Sequence, residues 1–198
     1  MRKFGCIVTL ACLCATPTLA AGPGRTDPDW PCHQARVSDF PLASVWDGPP
    51  LEATSTSWRD NPEIAALEAL MAQRRAPLAD VEAHVTKLAA GPDGKARVLQ
   101  AFVAAFDDLV RQRAEILVGL ERYGRKNHEI ADHIRAENET AHQEKTPGAG
   151  PDEAAMQKLQ WDLRVFEDRR RTANYVCETP QAIEARIGEI VKVMRASL

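Results

Sequence analysis

Between Gly94 and Lys145 the chain has no proline, and one apolar seam runs through the stretch without a break. Phe102, Phe106, Leu109, Arg113, Ile116, Leu120, Tyr123, Asn127, Ile130 and Ile134 follow one another by 4, 3, 4, 3. This heptad spacing places all ten on one side of a helix. At 1.5 Å per residue such a helix is roughly 75 Å long, too long for the interior of a small domain. Thr146-Pro147-Gly148-Ala149-Gly150-Pro151 then forces a stop and a turn. Beyond it, Met156, Leu159, Leu163, Phe166, Arg170, Ala173 and Cys177 repeat the seam spacing. Ile183, Ile187, Ile190 and Met194 continue it after Thr179-Pro180, where a kink or short break is expected. Two seams joined by a short turn make an antiparallel hairpin, because so short a connection cannot return the chain parallel. The expected fold is therefore all-α, with hairpin arms 94–145 and 152–197.

Two shorter helices should precede the hairpin. Asn61-Pro62-Glu63 supplies an N-cap, a proline at the first helical position and an acid that complements the dipole. Ile64, Leu67, Leu70 and Met71 form its stripe. A second helix starts near Pro77, carries Val81, Val85 and Leu88 on one face, and ends at Gly91-Pro92. Residues 61–198 thus form the helical domain. Upstream, residues 30–60 hold three of the four Trp, and prolines at 31, 41, 49 and 50 forbid a long helix there. This is expected to be an extended arm whose aromatic side chains pack on the helices. Residues 21–29 read as a flexible leader.

The N-terminus has the pattern of an export signal. Arg2 and Lys3 precede an apolar run, Phe4 to Ala15, too short to span a bilayer, and Thr18-Leu19-Ala20 suits signal peptidase. Cleavage after Ala20 leaves about 178 residues, one domain's worth. Thr9-Leu10-Ala11-Cys12 is a poor lipobox, which disfavours a lipid anchor on Cys12 or Cys14. Of five cysteines, only Cys32 and Cys177 survive cleavage. An even pair in an oxidising compartment is most simply a disulfide. The expected location is the bacterial periplasm. Losing Arg2 and Lys3 takes the formal net charge from -3 to -5, which speaks against general nucleic-acid binding. The rest of the chain has no apolar run long enough for a membrane span.

A hairpin sets a register. With the turn centred near Ala149, facing residue numbers sum to about 297, within a helical turn. Arg113 then faces Glu184, and Asn127 faces Arg170. A charged group on an apolar seam needs such a partner, and polar seam pairs also fix alignment. Cys177 falls near mid-hairpin, so a Cys32–Cys177 bridge would pin the arm across that level. Two basic runs meet there, with Arg122, Tyr123, Arg125 and Lys126 on one helix and Arg169, Arg170 and Arg171 on the other. Joined with Trp30 and Trp46 of the arm, they compose a candidate interaction surface. Gly124, inside a long helix, would let the arm approach the backbone closely.

Signals for catalysis are missing: no H-E-x-x-H, no G-x-S-x-G, no glycine-rich phosphate loop, and no C-x-x-C after Cys14. Glu139-x-x-His142 has a di-iron spacing, but the return helix has no histidine to complete a second motif. His133, Glu137 and His142 are therefore weak metal candidates, and no cofactor is expected. The chain reads as a non-enzymatic exported factor with an interaction, adaptor or chaperone-like role, working on an unidentified protein partner or as a homodimer. The alternative is a periplasmic module for a small ligand or metal.

Overall fold

The computed structural model describes residues 27–51, 56–142 and 152–197. The expected signal segment, most of the leader and the hairpin turn lie outside them. Among the described residues there is no strand, and the fold is all-helical, as the periodicity requires. Five α-helices follow two short 3-10 turns at Leu42–Ser44 and Thr56–Asp60. They are α1 (Pro62–Ala72), α2 (Leu78–Ala89), α3 (Gly94–His142), α4 (Glu153–Cys177) and α5 (Thr179–Ser197).

The helix boundaries have local causes. Asn61 Oδ1 accepts from the Glu63 and Ile64 amides at 3.1 and 3.3 Å, and Pro62 needs no partner for an N–H it lacks. Asp152 caps α4 in the same way, accepting from the Ala154 and Ala155 amides. The expected break falls between Cys177 and Thr179, with Pro180 in the first turn of α5.

The molecule has two unequal halves along α3. At its N-terminal half, α1, α2 and α5 pack on α3 and enclose the main core. Leu67 and Met71, Val81 and Val85, Phe102 and Leu109, and Ile183, Ile187 and Met194 meet there with almost no exposure. Each large apolar side chain so buried contributes about 1.5–3 kcal/mol relative to leaving it in water. Arg186 is buried beside this core and donates to the carbonyls of Leu70 and Met71, which α1 leaves unbonded at its C-terminus. Burial lowers the Arg186 pKa, an effect that Glu189 partly offsets. The distal half is only two helices thick. Its buried cluster is Ile134, Ala141 and Leu159, with Ile130, Met156 and Phe166 partly covered.

Contacts across the hairpin fix the register. Arg113 pairs with Glu184, Arg169 with Asn127, and Lys158 with Glu137. Each pair sums to between 295 and 297, so α3 runs antiparallel to α4 and α5, and the register passes through the α4–α5 break unchanged. Two expectations need correction. Asn127 meets Arg169, not Arg170, a shift of one residue within the turn of uncertainty. Leu163, expected on the seam, is 44% exposed, while Gly124, off the seam, is buried. A helix of 3.6 residues per turn drifts about 20° per heptad against a strict seam, and two helices alone cannot cover both flanks.

Candidate functional site

The arm determines what stands at mid-hairpin. It enters beside Gly124, where the Asp29 carbonyl and the Pro31 ring lie against the α3 backbone. Cys32 Sγ then meets Cys177 Sγ at 2.01 Å, with the Cα atoms 5.6 Å apart. The Gln34 side-chain amide donates to the Cys177 carbonyl, a group left open by the end of α4. Trp30 Nε1 donates to the Gln34 carbonyl at 2.7 Å and so folds the crossing segment on itself.

From this crossing the arm descends along α3 towards the core. Arg36 pairs with Glu121 at 3.2 Å. Arg113, only 3% exposed, donates Nε to Glu184 at 2.6 Å, Nη2 to the Val37 carbonyl at 2.7 Å and Nη1 to the Ser38 carbonyl at 3.2 Å. One guanidinium thus joins α3, α5 and the arm, and its planar fork suits three acceptors in different directions. It also lies 5.5 Å from the Phe40 ring centroid. Phe40 stacks on Phe106, and Trp46 packs on Phe102 with ring centroids 4.9 Å apart.

The arm, α3 and α4 together bound a cleft of about 440 Å³ on one side of the hairpin. Asn127, His128 and Arg135 come from α3, and Phe166, Arg170 and Arg171 from α4. Asp29, Pro31 and His33 close the end nearest the bridge. Asn127 Oδ1 accepts from Arg169 Nε at 3.1 Å, which leaves the NH2 of the Asn127 amide as its other polar group. Arg169 also lies 5.0 Å from the Tyr123 ring centroid, and Tyr123 Oη donates to the Arg169 carbonyl at 2.5 Å.

The expected composite surface is therefore divided. Arg170 and Arg171 line the cleft, whereas Arg122, Arg125 and Lys126 do not. On a helix, Arg125 lies about 160° and Arg122 about 100° from Tyr123, the residue that touches α4. Lys126 is exposed and pairs with Glu129 at 2.9 Å. Trp30 is at the crossing, but Trp46 belongs to the bundle end, some 22 residues of α3 away from Gly124. An extended arm moves its aromatic residues apart, and sequence proximity to Cys32 did not keep Trp46 near the basic runs.

The metal candidates are engaged with neighbouring groups. His133 Nε2 is 3.1 Å from Glu137, and His142 Nδ1 contacts the Asn138 carbonyl at 2.8 Å. Among the described residues, no three His, Cys, Asp or Glu side chains are grouped to hold a metal ion. Lys158 is shared by Glu137 and Asp162, and these hydrogen bonds raise the Lys158 pKa and lower that of Asp162. A scan against protein-family models finds no match, and neither curated proteins nor solved structures give a significant one.

Sequence reasoning missed the outward face of α4. Among the described residues seven large apolar side chains are exposed, and five of them are on this helix: Trp161, Leu163, Val165, Tyr175 and Val176. Trp161, Val165 and Val176 lie within about 60° of one another around the axis. The signal was available. Trp161 is the one tryptophan outside the arm, and it stands off the seam on a stretch with one partner helix.

Proposed function

We propose that the chain is an exported periplasmic protein that works by binding another protein, in an adaptor or chaperone-like role, with α4 as its docking helix. The observation that carries this reading is the line of exposed apolar side chains Trp161, Val165 and Val176 along one face of α4. Single exposed apolar residues are ordinary, but large ones gathered on one helix mark contact surfaces. Trp161 is 64% exposed, and tryptophan is enriched where binding energy concentrates. The distal hairpin contributes little core, so its length is better explained by presentation of a surface than by stability. Export rests on the N-terminal charge, apolar run and small-residue pattern, and the bridged cysteines are consistent with an oxidising compartment.

Photo-crosslinking residues at positions 161, 165 and, as a control, at Lys192 of α5 test the docking role in the source cells. Adducts to one common protein from 161 and 165, absent from 192, support it. Equal labelling from all three positions rejects it. Mass spectrometry of the mature protein tests export, with an N-terminus at Ala21 or Gly22 expected and an intact Met1 contradicting it.

A further inference from the structure

We propose that the cleft at the arm crossing binds the carboxylate of an apolar organic acid, either a free small acid or the C-terminal residue of a polypeptide. This site is separate from the outward face of α4 and does not depend on its role.

Charge and hydrogen-bonding capacity define the ligand class. Arg135, Arg170 and Arg171 line the cleft, against the carboxylates of Asp29 and Glu167. Arg135 is held by Asp132, and Arg171 lies 3.8 Å from both Glu167 and Asp168. Asp29 lies 3.9 Å from His128. Arg170 alone of the three arginines has no ion pair or hydrogen bond among the described residues. Its guanidinium offers donors and no acceptor, and so does the NH2 of Asn127 once Arg169 has engaged the amide oxygen. A planar fork of donors matches a carboxylate. The cation of the lining left without an anionic partner among the described residues is Arg170, since Arg135 and Arg171 are already matched by neighbouring carboxylates. A single unmatched cation suits a monoanion and disfavours a multiply charged phosphate ester, which the two acids would repel.

Shape supplies the apolar half of the specification. Phe166, Ala131 and Ala173 give the wall an apolar part beside the arginines. A volume of about 440 Å³ is within the usual range of small-molecule sites, roughly 300–1,000 Å³. The end of the cleft is formed by arm residues held in place by the Cys32–Cys177 bridge and the close approach at Gly124. A wall fixed before binding lowers the ordering cost of the complex.

Isothermal titration of the mature protein with 3-phenylpropionate, its amide, inorganic phosphate, the tripeptide Gly-Gly-Phe and its C-terminal amide tests the site. Saturable binding of 3-phenylpropionate is expected with a Kd of about a millimolar or tighter, the scale for a ligand of this size. Both amides and phosphate should bind about tenfold more weakly or worse. A tripeptide at least about tenfold tighter than the small acid assigns the source to a chain terminus, and equal or weaker binding assigns it to a free acid. R170Q should weaken the acid about tenfold or more, the scale of one charged hydrogen bond, with R170K intermediate and R125Q unchanged. Circular dichroism of each variant checks that the helices remain. The proposal is overturned if wild type shows no saturable binding up to about 10 mM, well beyond that scale. It is equally overturned if amide or phosphate matches the acid, or if folded R170Q binds as wild type does.

Discussion

The carbonyl oxygen of Asp29 occupies the space that a Cβ at Gly124 would fill, and the Pro31 Cδ lies 3.1 Å from the same point. The crossing of the arm therefore requires glycine at this position of α3. Elsewhere in a helix interior glycine is a cost, about 1 kcal/mol relative to alanine.

This relationship yields opposite outcomes for one substitution. Gly124→Ala should displace the arm and destabilise the fold by about 1–3 kcal/mol, the scale of overpacking a filled site. Gly119 and Gly188 are also helical, and a Cβ at either would meet nothing within 4 Å. Gly119→Ala and Gly188→Ala should therefore stabilise by about 0.5–1 kcal/mol. Urea unfolding of the three variants is the measurement, and a matching gain in Gly124→Ala would contradict the described crossing.

Removing the bridge should cost more than any surface change. Cys32 and Cys177 are 145 positions apart, a long loop to leave open in the unfolded chain. Cys32→Ser with Cys177→Ser should lose about 2–5 kcal/mol. The lower arm should stay in place, because Phe40 and Trp46 are held by Phe106 and Phe102. Hydrogen exchange should accordingly rise near Pro31 and Gln34 before it rises near Trp46.

Arg113 and Glu184 should respond unequally. Glu184→Ala leaves a guanidinium in a site 3% exposed, with only the Val37 and Ser38 carbonyls to face it. Glu184 itself is partly exposed, which moderates the loss to about 2 kcal/mol. Arg113→Met removes the charge and keeps the volume apolar. Water can satisfy the two carbonyls, since Val37 and Ser38 are exposed, so the loss should be about 1 kcal/mol or less. A double variant no less stable than Arg113→Met alone would confirm the ordering by thermal unfolding.

Glu68 offers a pH-dependent test. Desolvation by burial raises its pKa, and the nearby Asp108 raises it further, against the opposing charge of Arg59. A carboxyl whose folded pKa exceeds its unfolded value binds its proton more tightly in the folded state. The charged form is then a penalty, full at neutral pH and relieved as pH falls through the folded pKa. Glu68→Gln should raise the melting temperature at pH 7. That gain should shrink as pH falls through the raised folded pKa and be lost below the ordinary value of 4.5. A gain that grows on acidification would reverse the sign of the shift.

Local chemistry made much of this architecture legible in advance. Asn61-Pro62 and Asp152 mark helix starts because their side chains bond backbone amides a few residues on. The Arg113–Glu184 pair followed from counting residues out from a turn. The same count missed Arg169 by one position, since the centre of a turn sets register only to within a few residues. The course of the arm was not readable, because Arg113 grips it through the Val37 and Ser38 carbonyls, and main-chain acceptors carry no sequence signature. Nor was the cleft, which needs Pro31, Asn127 and Arg170 from three separate segments. The open face of α4 escaped for a different reason. Periodicity tells which residues can be buried, and it does not tell whether a third layer exists to cover Trp161.

The interruption at Glu178 also has a mechanical side. At that level the distal hairpin is joined to the bundle by the unbroken α3, by a return path with a break in its helix, and by an arm bonded above and below it. From Gly124 to His142 the free length of α3 is about 27 Å at 1.5 Å per residue. A bend of about 10° at the break would carry His142 sideways by about 5 Å over that length. The strap formed by Cys32, Gln34 and Arg113 resists this bend together with α3, so opening the bridge would leave the continuous α3 as the main element that stiffens the distal hairpin at this level.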